Sequence, residues 1–271
     1  MVYFSIIMVV YFSIIIYMFR RGAMLNASVE ISACQDSSVS NALCHHFNTS
    51  SQLLDDFFHG TIFSRKSINN QRFQSVNKLE SLRIANNYGM KIPETIITTK
   101  KSILYDFLKK NKFKVVTKDI TDGIGIETSK WCITAYTEMI TEEFYNSLPD
   151  VFSPSLFQEY IKKKFEIRTF FLNDNYYSMA IFSQSNPQTI VDFRHYDFKN
   201  PNRMIPLKLP VEIENKLKKI MMELNLTSGS IDMIYSEHKE FFFLEVNPIG
   251  QFGMVSYPCN YHLEKLIATF L

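Results

Sequence analysis

The stretch GSIDMIYSEHKEFFFLEVNP, residues 229 to 248, constrains this chain more than any other segment. Two runs rich in Ile, Phe, Leu and Val flank a polar centre, which predicts a β-hairpin from Ser230 to Asn247. With a two-residue turn at His238-Lys239, Asp232 stands directly opposite Glu245, and strand alternation points Asn247 the same way. Two carboxylates and an amide oxygen then converge among apolar neighbours. Such carboxylates are costly and repel each other unless a cation neutralises them, and hard oxygen donors of this kind suit Mg2+. The alternative is a pair of solvent-facing residues on an edge hairpin. A one-residue change in turn length would move Asp232 to the other face.

Regular patterning begins near Asn77, which caps a helix to Asn87 that Gly89 stops. A second helix is expected from Thr99 to Lys110, then a strand at 113–117, a glycine-containing turn at 120–127 and a strand at 131–136. A short helix from Thr141 to Leu148 and a strand at 155–161 follow. EIRTFFL and YYSMAIF form a hairpin across Asn173-Asp174-Asn175, then come TIVDFR, a long loop and a helix from Val211 to Leu224. A last helix runs from Asn260 to the C-terminus.

The N-terminal half is less regular. Residues 1 to 19 carry no charge and repeat VYFSII at Val2 and Val10. A 19-residue helix would be ~28 Å long, enough for one membrane anchor with Arg20-Arg21 on the cytoplasmic side. The β-branched and aromatic content favours strand. No basic residue precedes the run and no small-residue cleavage site follows promptly, which argues against a signal peptide. Gly22 to Arg72 is polar, with short helices expected around Ser40–His46 and Ser51–His59. Cys44-His45-His46 and His59 lack a second ligand pair at metal spacing.

A length of 271 residues fits two domains or one large α/β unit, and 46% apolar against 21% charged residues excludes a disordered chain. Cys34, Cys44, Cys132 and Cys259 form no CxxC pair; they read as buried thiols in a cytoplasmic compartment. The formal charge of +2 gives no field that would recruit nucleic acid. The lysines at 109, 110, 112 and 162–164 read as solvated faces more readily than as a site for an acidic peptide.

Two further constellations suggest phosphate and nucleotide contacts. Lys118 ends an apolar strand just before Asp122-Gly123-Ile124-Gly125, where small residues let backbone N–H groups approach an anion. In QEYIKKKFEIR, residues 158–168, Glu166 could accept from a ribose and Arg168 could reach phosphate. Each alone is weak: taken singly, a solvated lysine and a Lys-Glu surface strand explain them better.

Taken in order, NKLESLRIANNYGMKIPET, VVTKDITDGIGI, QEYI with EIR, and GSIDMI with FLEVNP resemble the ATP-grasp superfamily over about Asn77 to Leu271. Within it, FRRG, SMAIFSQ, VDFR, NPNR and EVNPIGQFGMVSYPCNYHLEK are most similar to the grasp-with-spasm peptide maturases and microviridin-type ligases. The resemblance implies an α/β (α+β) ATP-grasp fold over 77–271, with a lid at about 95–160 and a metal-binding core at about 161–271. Residues 1–76 would be a truncated pre-ATP-grasp region. Lys78 and Lys118 would bind ATP phosphates, and Gly123 and Gly125 would lie in a loop over them. Glu159, Tyr160 and Ile161 would form the adenine hinge, and Glu166 would hold the ribose. Asp232, Glu245 and Asn247 would hold Mg2+, and Arg168, Arg194 and Arg203 would neutralise phosphate.

The activity implied is phosphorylation of a carboxylate on a precursor peptide, followed by attack of a Ser/Thr hydroxyl or Lys amine and closure of an ester or amide macrocycle. A homodimer is also expected. The sequence departs from the family in having Met18-Phe19 before Arg20, a shortened glycine loop, and Pro248-Ile249-Gly250 after the metal strand. Competing readings are a carboxylate–amine ligase acting on a small amino acid or protein terminus, and an inactive peptide-binding remnant.

Overall fold

The computed structural model describes residues 10–12, 15–17, 37–62, 68–69, 76–120, 125–127, 132–134, 136–248 and 250–270. Contacts divide the chain into Met1–Gln74 with Ile267–Leu271, and Ser75–Leu266. In the first unit, β1 (Val10–Phe12) and β2 (Ile15–Tyr17) pair antiparallel, so the described part of the apolar N-terminal run is strand. Among the described residues no helix is long and apolar enough to cross a membrane. The expected short helices at 40–46 and 51–59 are instead one helix, α1 (Ser37–Ile62). The polar Asn48-Thr49-Ser50 stretch does not break it, and within it Thr49 Oγ1 donates back to the His45 carbonyl at 2.8 Å. Cys44 on this helix is half-buried rather than buried, whereas Cys259 is buried. Cys34 lies outside the described residues.

The second unit opens with α2 (Lys78–Asn87). Asn77 accepts from the Leu79 and Glu80 N–H groups, and Gly89, at φ +75°, turns the chain out of the helix. Next come β3 (Thr95–Lys100), α3 (Lys101–Lys110), β4 (Val115–Lys118), β5 (Gly125–Glu127), β6 (Cys132–Thr134), β7 (Glu138–Met139), α4 (Glu142–Ser147) and β8 (Val151–Glu159). Strand β3 went unread because it runs straight into α3 with no side-chain cap between them. Its Thr and Ile residues pair with β8, so α3 starts at Lys101 and not Thr99. The antiparallel sheet β3-β8-β4-β7 closes over Leu104, Phe107, Leu108, Val115, Ile140 and Phe157.

A five-stranded antiparallel sheet follows, in the order β11-β10-β9-β12-β13: β9 (Lys163–Leu172), β10 (Asn175–Phe182), β11 (Arg203–Leu207), β12 (Ser228–Ser236) and β13 (Phe241–Asn247). The β9–β10 turn is Asn173-Asp174, both at positive φ, the conformation that a two-residue hairpin turn requires. TIVDFR lies within the loop 183–202 and forms no strand. Strand β11, RMIPL, was not anticipated; its proline sits on the edge of the sheet, where a missing donor is tolerated. Helix α5 (Val211–Glu223) buries Ile213, Leu217, Ile220 and Met221. It approaches β12 so closely that a Cβ on Gly229 would lie 3.4 Å from the Met221 methyl. Helix α5 therefore covers the face of β12 opposite to Asp232. The expected C-terminal helix is two, α6 (Gly253–Cys259) and α7 (Leu263–Phe270), separated by Asn260 in the left-handed region.

The 228–247 hairpin does not turn at His238-Lys239. Ser236 N donates to Glu240 O, leaving a three-residue turn, and the pairing then runs Tyr235–Phe241, Ile234–Phe242 and Met233–Phe243. This register would set Asp232 opposite Leu244 and Glu245 on the far face. A bulge restores the pairing: Leu244 is skipped, and Asp232 pairs with Glu245, Ile231 with Val246 and Ser230 with Asn247.

Replacing Asn77 with Ala removes the acceptor of two helix-initiating N–H groups on α2. The variant is expected to lose about 1 kcal/mol in denaturant unfolding, with an unchanged m-value.

Candidate active site

Within the second unit the two sheets face each other across an open cleft. The four-stranded sheet contributes Val116, Lys118, Gln158 and Glu159. The five-stranded sheet contributes Lys163, Glu166, Asp232, Ile234 and Glu245. Lys78 enters from the first turn of α2, and Val191–Arg194 from the loop 183–202.

At the centre, Glu245 Oε2 lies 3.6 Å from Lys78 Nζ and 3.9 Å from Lys118 Nζ. Burial pushes the Glu245 carboxyl up, but Lys118 and Lys78, followed by Arg194 and Arg168, more than offset it and hold the group below its ordinary range. Lys118 is pushed down, chiefly by burial. Asp232, the cross-strand partner of both Glu245 and Arg168, is less well compensated. Its Oδ1 is 3.7 Å from Arg168 Nε, and both atoms are buried without a hydrogen-bond partner. Burial raises Asp232 to about 6, with Arg168 pulling down and Glu245 pushing up.

This donor set fits a hard divalent cation. It consists of oxygens only, one of them a buried carboxylate oxygen with no hydrogen-bond partner, and cations stand beyond it to receive a polyanion. Asn247 follows Glu245 by two residues on the same strand face, and it is exposed at the end of β13.

Arg194 is held by Asp192. The carboxylate accepts from Arg194 Nε at 2.9 and 3.1 Å, from Arg194 Nη2 at 2.6 Å, and from the Arg194 backbone N–H at 3.0 Å. Its Oδ2 also accepts from the Thr137 N–H at 3.0 Å. One buried carboxylate thus ties the arginine loop to the segment leading into β7. Burial would raise Asp192, but these donors bring it down to about 2.

Toward the other end of the cleft lie Glu159, Tyr160 and Ile161. The Glu159 carboxylate is turned away, accepting from the Glu94 N–H at 3.0 Å, and Tyr160 N donates to Lys114 O. Glu166 is buried and pairs with Lys163.

The cleft therefore gathers Lys78, Lys118, Glu159, Tyr160, Ile161, Glu166, Arg194, Asp232 and Glu245, with Arg168 directly behind Asp232. It does not include Arg203, which is exposed on β11 with its guanidinium 5.3 Å from the Phe182 ring centroid. Gly123 lies outside the described residues, and Gly125 opens β5. Two charged residues were missed. Lys163 is buried rather than solvated, and Asp192 carries no signal beyond its place two residues before Arg194. Among the described residues no cluster of three His, Cys, Asp or Glu residues could hold a metal, so the oxygen pair with Asn247 is the arrangement to consider.

No protein-family model matches the sequence, and no curated protein matches it. Solved structures do. A RiPP-associated ATP-grasp ligase of Chryseobacterium gregarium, in complex with ADP and a leader and core peptide, is 27% identical with a TM-score of 0.66. The match covers 80% of this chain and 64% of that one, so this chain spans under two thirds of that ligase. The macrocyclase MdnC of Microcystis aeruginosa MRC, bound with precursor peptide MdnA, is 24% identical with a TM-score of 0.69, covering 90% and 74%. The ATP-grasp ligase PsnB, complexed with a minimal precursor, Mg and ADP, is 15% identical with a TM-score of 0.62, covering 88% and 72%. The chain has the ATP-grasp fold.

The low value of Asp192 is a stability contribution present above about pH 4 and lost as pH falls toward 2, because the folded state resists protonation that the unfolded state accepts. Asp192→Asn is expected to flatten the acid limb of a stability–pH curve by about 2 kcal/mol over that window. Urea unfolding at pH 2 to 5 measures it.

Proposed function

We propose that this chain is an ATP- and Mg2+-dependent, ADP-forming ligase. It activates carboxylates of a ribosomally made precursor peptide and joins them to side-chain hydroxyls or amines of the same peptide. The observation that carries this reading is the charge arrangement in one cleft of an ATP-grasp fold. Lys78, Lys118, Arg168 and Arg194 surround the Asp232–Glu245 pair, so cations that suit a triphosphate stand beside the carboxylates that suit its divalent ion. The likeness to ligases solved with ADP and precursor peptides supports it.

In this reading Glu159, Tyr160 and Ile161 line the adenine, and neither the Glu159 side chain nor the Glu159 and Tyr160 N–H groups serve it, since all three are engaged elsewhere. Glu166 accepts from the ribose. Lys78 and Lys118 lie beside the phosphates. Asp232, Glu245 and Asn247 hold Mg2+, which supplies charge neutralisation to the phosphate oxygens. Arg194, oriented by Asp192, faces the transferred phosphoryl group and the carboxylate that receives it, and Arg168 adds its charge from behind Asp232. The chemistry asked of the protein is positioning and electrostatic stabilisation. Arg203 takes no part in it. A precursor rich in Ser/Thr or Lys and in Asp/Glu would supply both reacting groups.

The test is product analysis with precursor peptide, ATP and Mg2+. ADP and phosphate are expected, with the peptide losing the mass of one water per bond formed and a hydroxamate trapped by hydroxylamine. AMP with pyrophosphate, or phosphate transfer without water loss, would overturn the mechanism. Lys118→Ala should slow turnover by on the order of 10² or more, since a fixed cation at developing phosphate charge is worth several kcal/mol. Glu245→Gln, folded as judged by circular dichroism, should consume no ATP. Normal turnover by either variant would remove the corresponding assignment.

A further inference from the structure

Glu166 has one carboxylate oxygen committed and one open. Its Oε1 accepts from Lys163 Nζ, while Oε2 is buried with no hydrogen-bond partner. The same ammonium donates to the Val191 carbonyl at 2.8 Å. Lys163 is therefore clamped between the strand that carries Glu166 and the loop that carries Asp192 and Arg194.

This placement has a specific backbone cause. Residues 163 and 166 would point to opposite faces of a regular strand. The pairing of β9 with β12 shifts between Tyr235–Phe165 and Ser236–Lys163, so Lys164 is an extra residue and Lys163 is turned onto the Glu166 face. A lysine is almost never fully buried unless paired, and a buried ion pair is no more stabilising than apolar residues of the same volume. The consequence of the pair lies in where it holds the Glu166 carboxylate: Lys163 fixes Oε1 and leaves Oε2 without a hydrogen-bond partner. Burial raises that carboxyl above its ordinary value and Asp192 adds to the rise; Lys163 and then the Ser183 hydroxyl oppose it without cancelling it.

We propose that Lys163 is a positioning residue for nucleotide selection. By occupying Oε1 it orients Glu166 so that Oε2 takes a hydrogen bond from a ribose hydroxyl, and the cleft selects ribonucleotides over deoxyribonucleotides. The inference rests on the ATP reading of the cleft and adds what enforces its sugar specificity. Through Val191 the same lysine couples the ribose contact to the loop that presents Arg194.

Calorimetric titration of the full chain with Mg2+ and ATP, 2′-deoxyATP or 3′-deoxyATP tests it. The unaltered protein should bind at least one deoxy form on the order of tenfold more weakly than ATP, as expected for losing a hydrogen bond to a charged acceptor. Lys163→Met should bring that ratio close to one. Lys163→Gln keeps a donor for both Glu166 and Val191 without the charge, tolerates folding where Met does not, and should likewise lose the discrimination. Lys163→Arg should retain more of it than Lys163→Gln. Folded Lys163 variants with undiminished discrimination, or with all three nucleotides weakened alike, would reduce Lys163 to a structural role and overturn the proposal. Equal binding of the three nucleotides by the unaltered protein would overturn it while leaving the ligase reading standing. Binding of no adenine nucleotide would overturn both.

Discussion

Two carboxylates on adjacent strands, Asp232 and Glu245, set the charge problem that the cleft answers. They are answered unequally. Glu245 has two lysine ammonium groups within 4 Å, each interaction gross worth on the order of 4 kcal/mol at the effective dielectric of a protein site. Within the same reach, among the described residues, Asp232 has Arg168 alone, whose Nε lies 3.7 Å away and makes no hydrogen bond to it. One carboxylate is thereby held ionised while burial pushes the other up to about 6. A cation between them would complete what Arg168 does only in part, and this asymmetry is the physical content of the proposed Mg2+ site.

Both strand irregularities of the five-stranded sheet that bear on the cleft have the same effect. Skipping Leu244 brings Glu245 to the face of Asp232, and the extra Lys164 brings Lys163 to the face of Glu166. Elsewhere along β9 and β12 the pairing is regular. The bulges re-aim charged side chains where chemistry is proposed, as such insertions commonly do.

Asp192 adds a connection of another kind. It binds an arginine of its own loop and a backbone N–H of the facing segment with the same carboxylate. The orientation of Arg194 is therefore coupled to how the loop 183–202 meets the stretch before β7. A carboxylate held near 2 by these donors remains charged throughout the neutral range, so the coupling does not switch off there.

The sequence by itself determined local matters. Asn77 as a cap, Gly89 as a stop, the Asn173-Asp174 turn and the apolar periodicity of α5 each depend on residues a few positions apart, and the pairing of Asp232 with Glu245 was legible from the run of the hairpin. That pairing was reached from the wrong turn: a three-residue turn and a one-residue bulge displace the register in opposite senses and cancel. What only the tertiary structure decided concerns partners distant in the chain. Strand β3 exists because β8, more than fifty residues on, pairs with it. Lys163 reads as one of three solvated lysines until pairing with β12 turns it inward, and Arg203 reads as another phosphate arginine until β11 carries it to the exposed edge. Periodicity reports which residues can share a face; which face meets a second sheet is set by long-range pairing, and on that depends whether a charge is solvated or becomes part of a site.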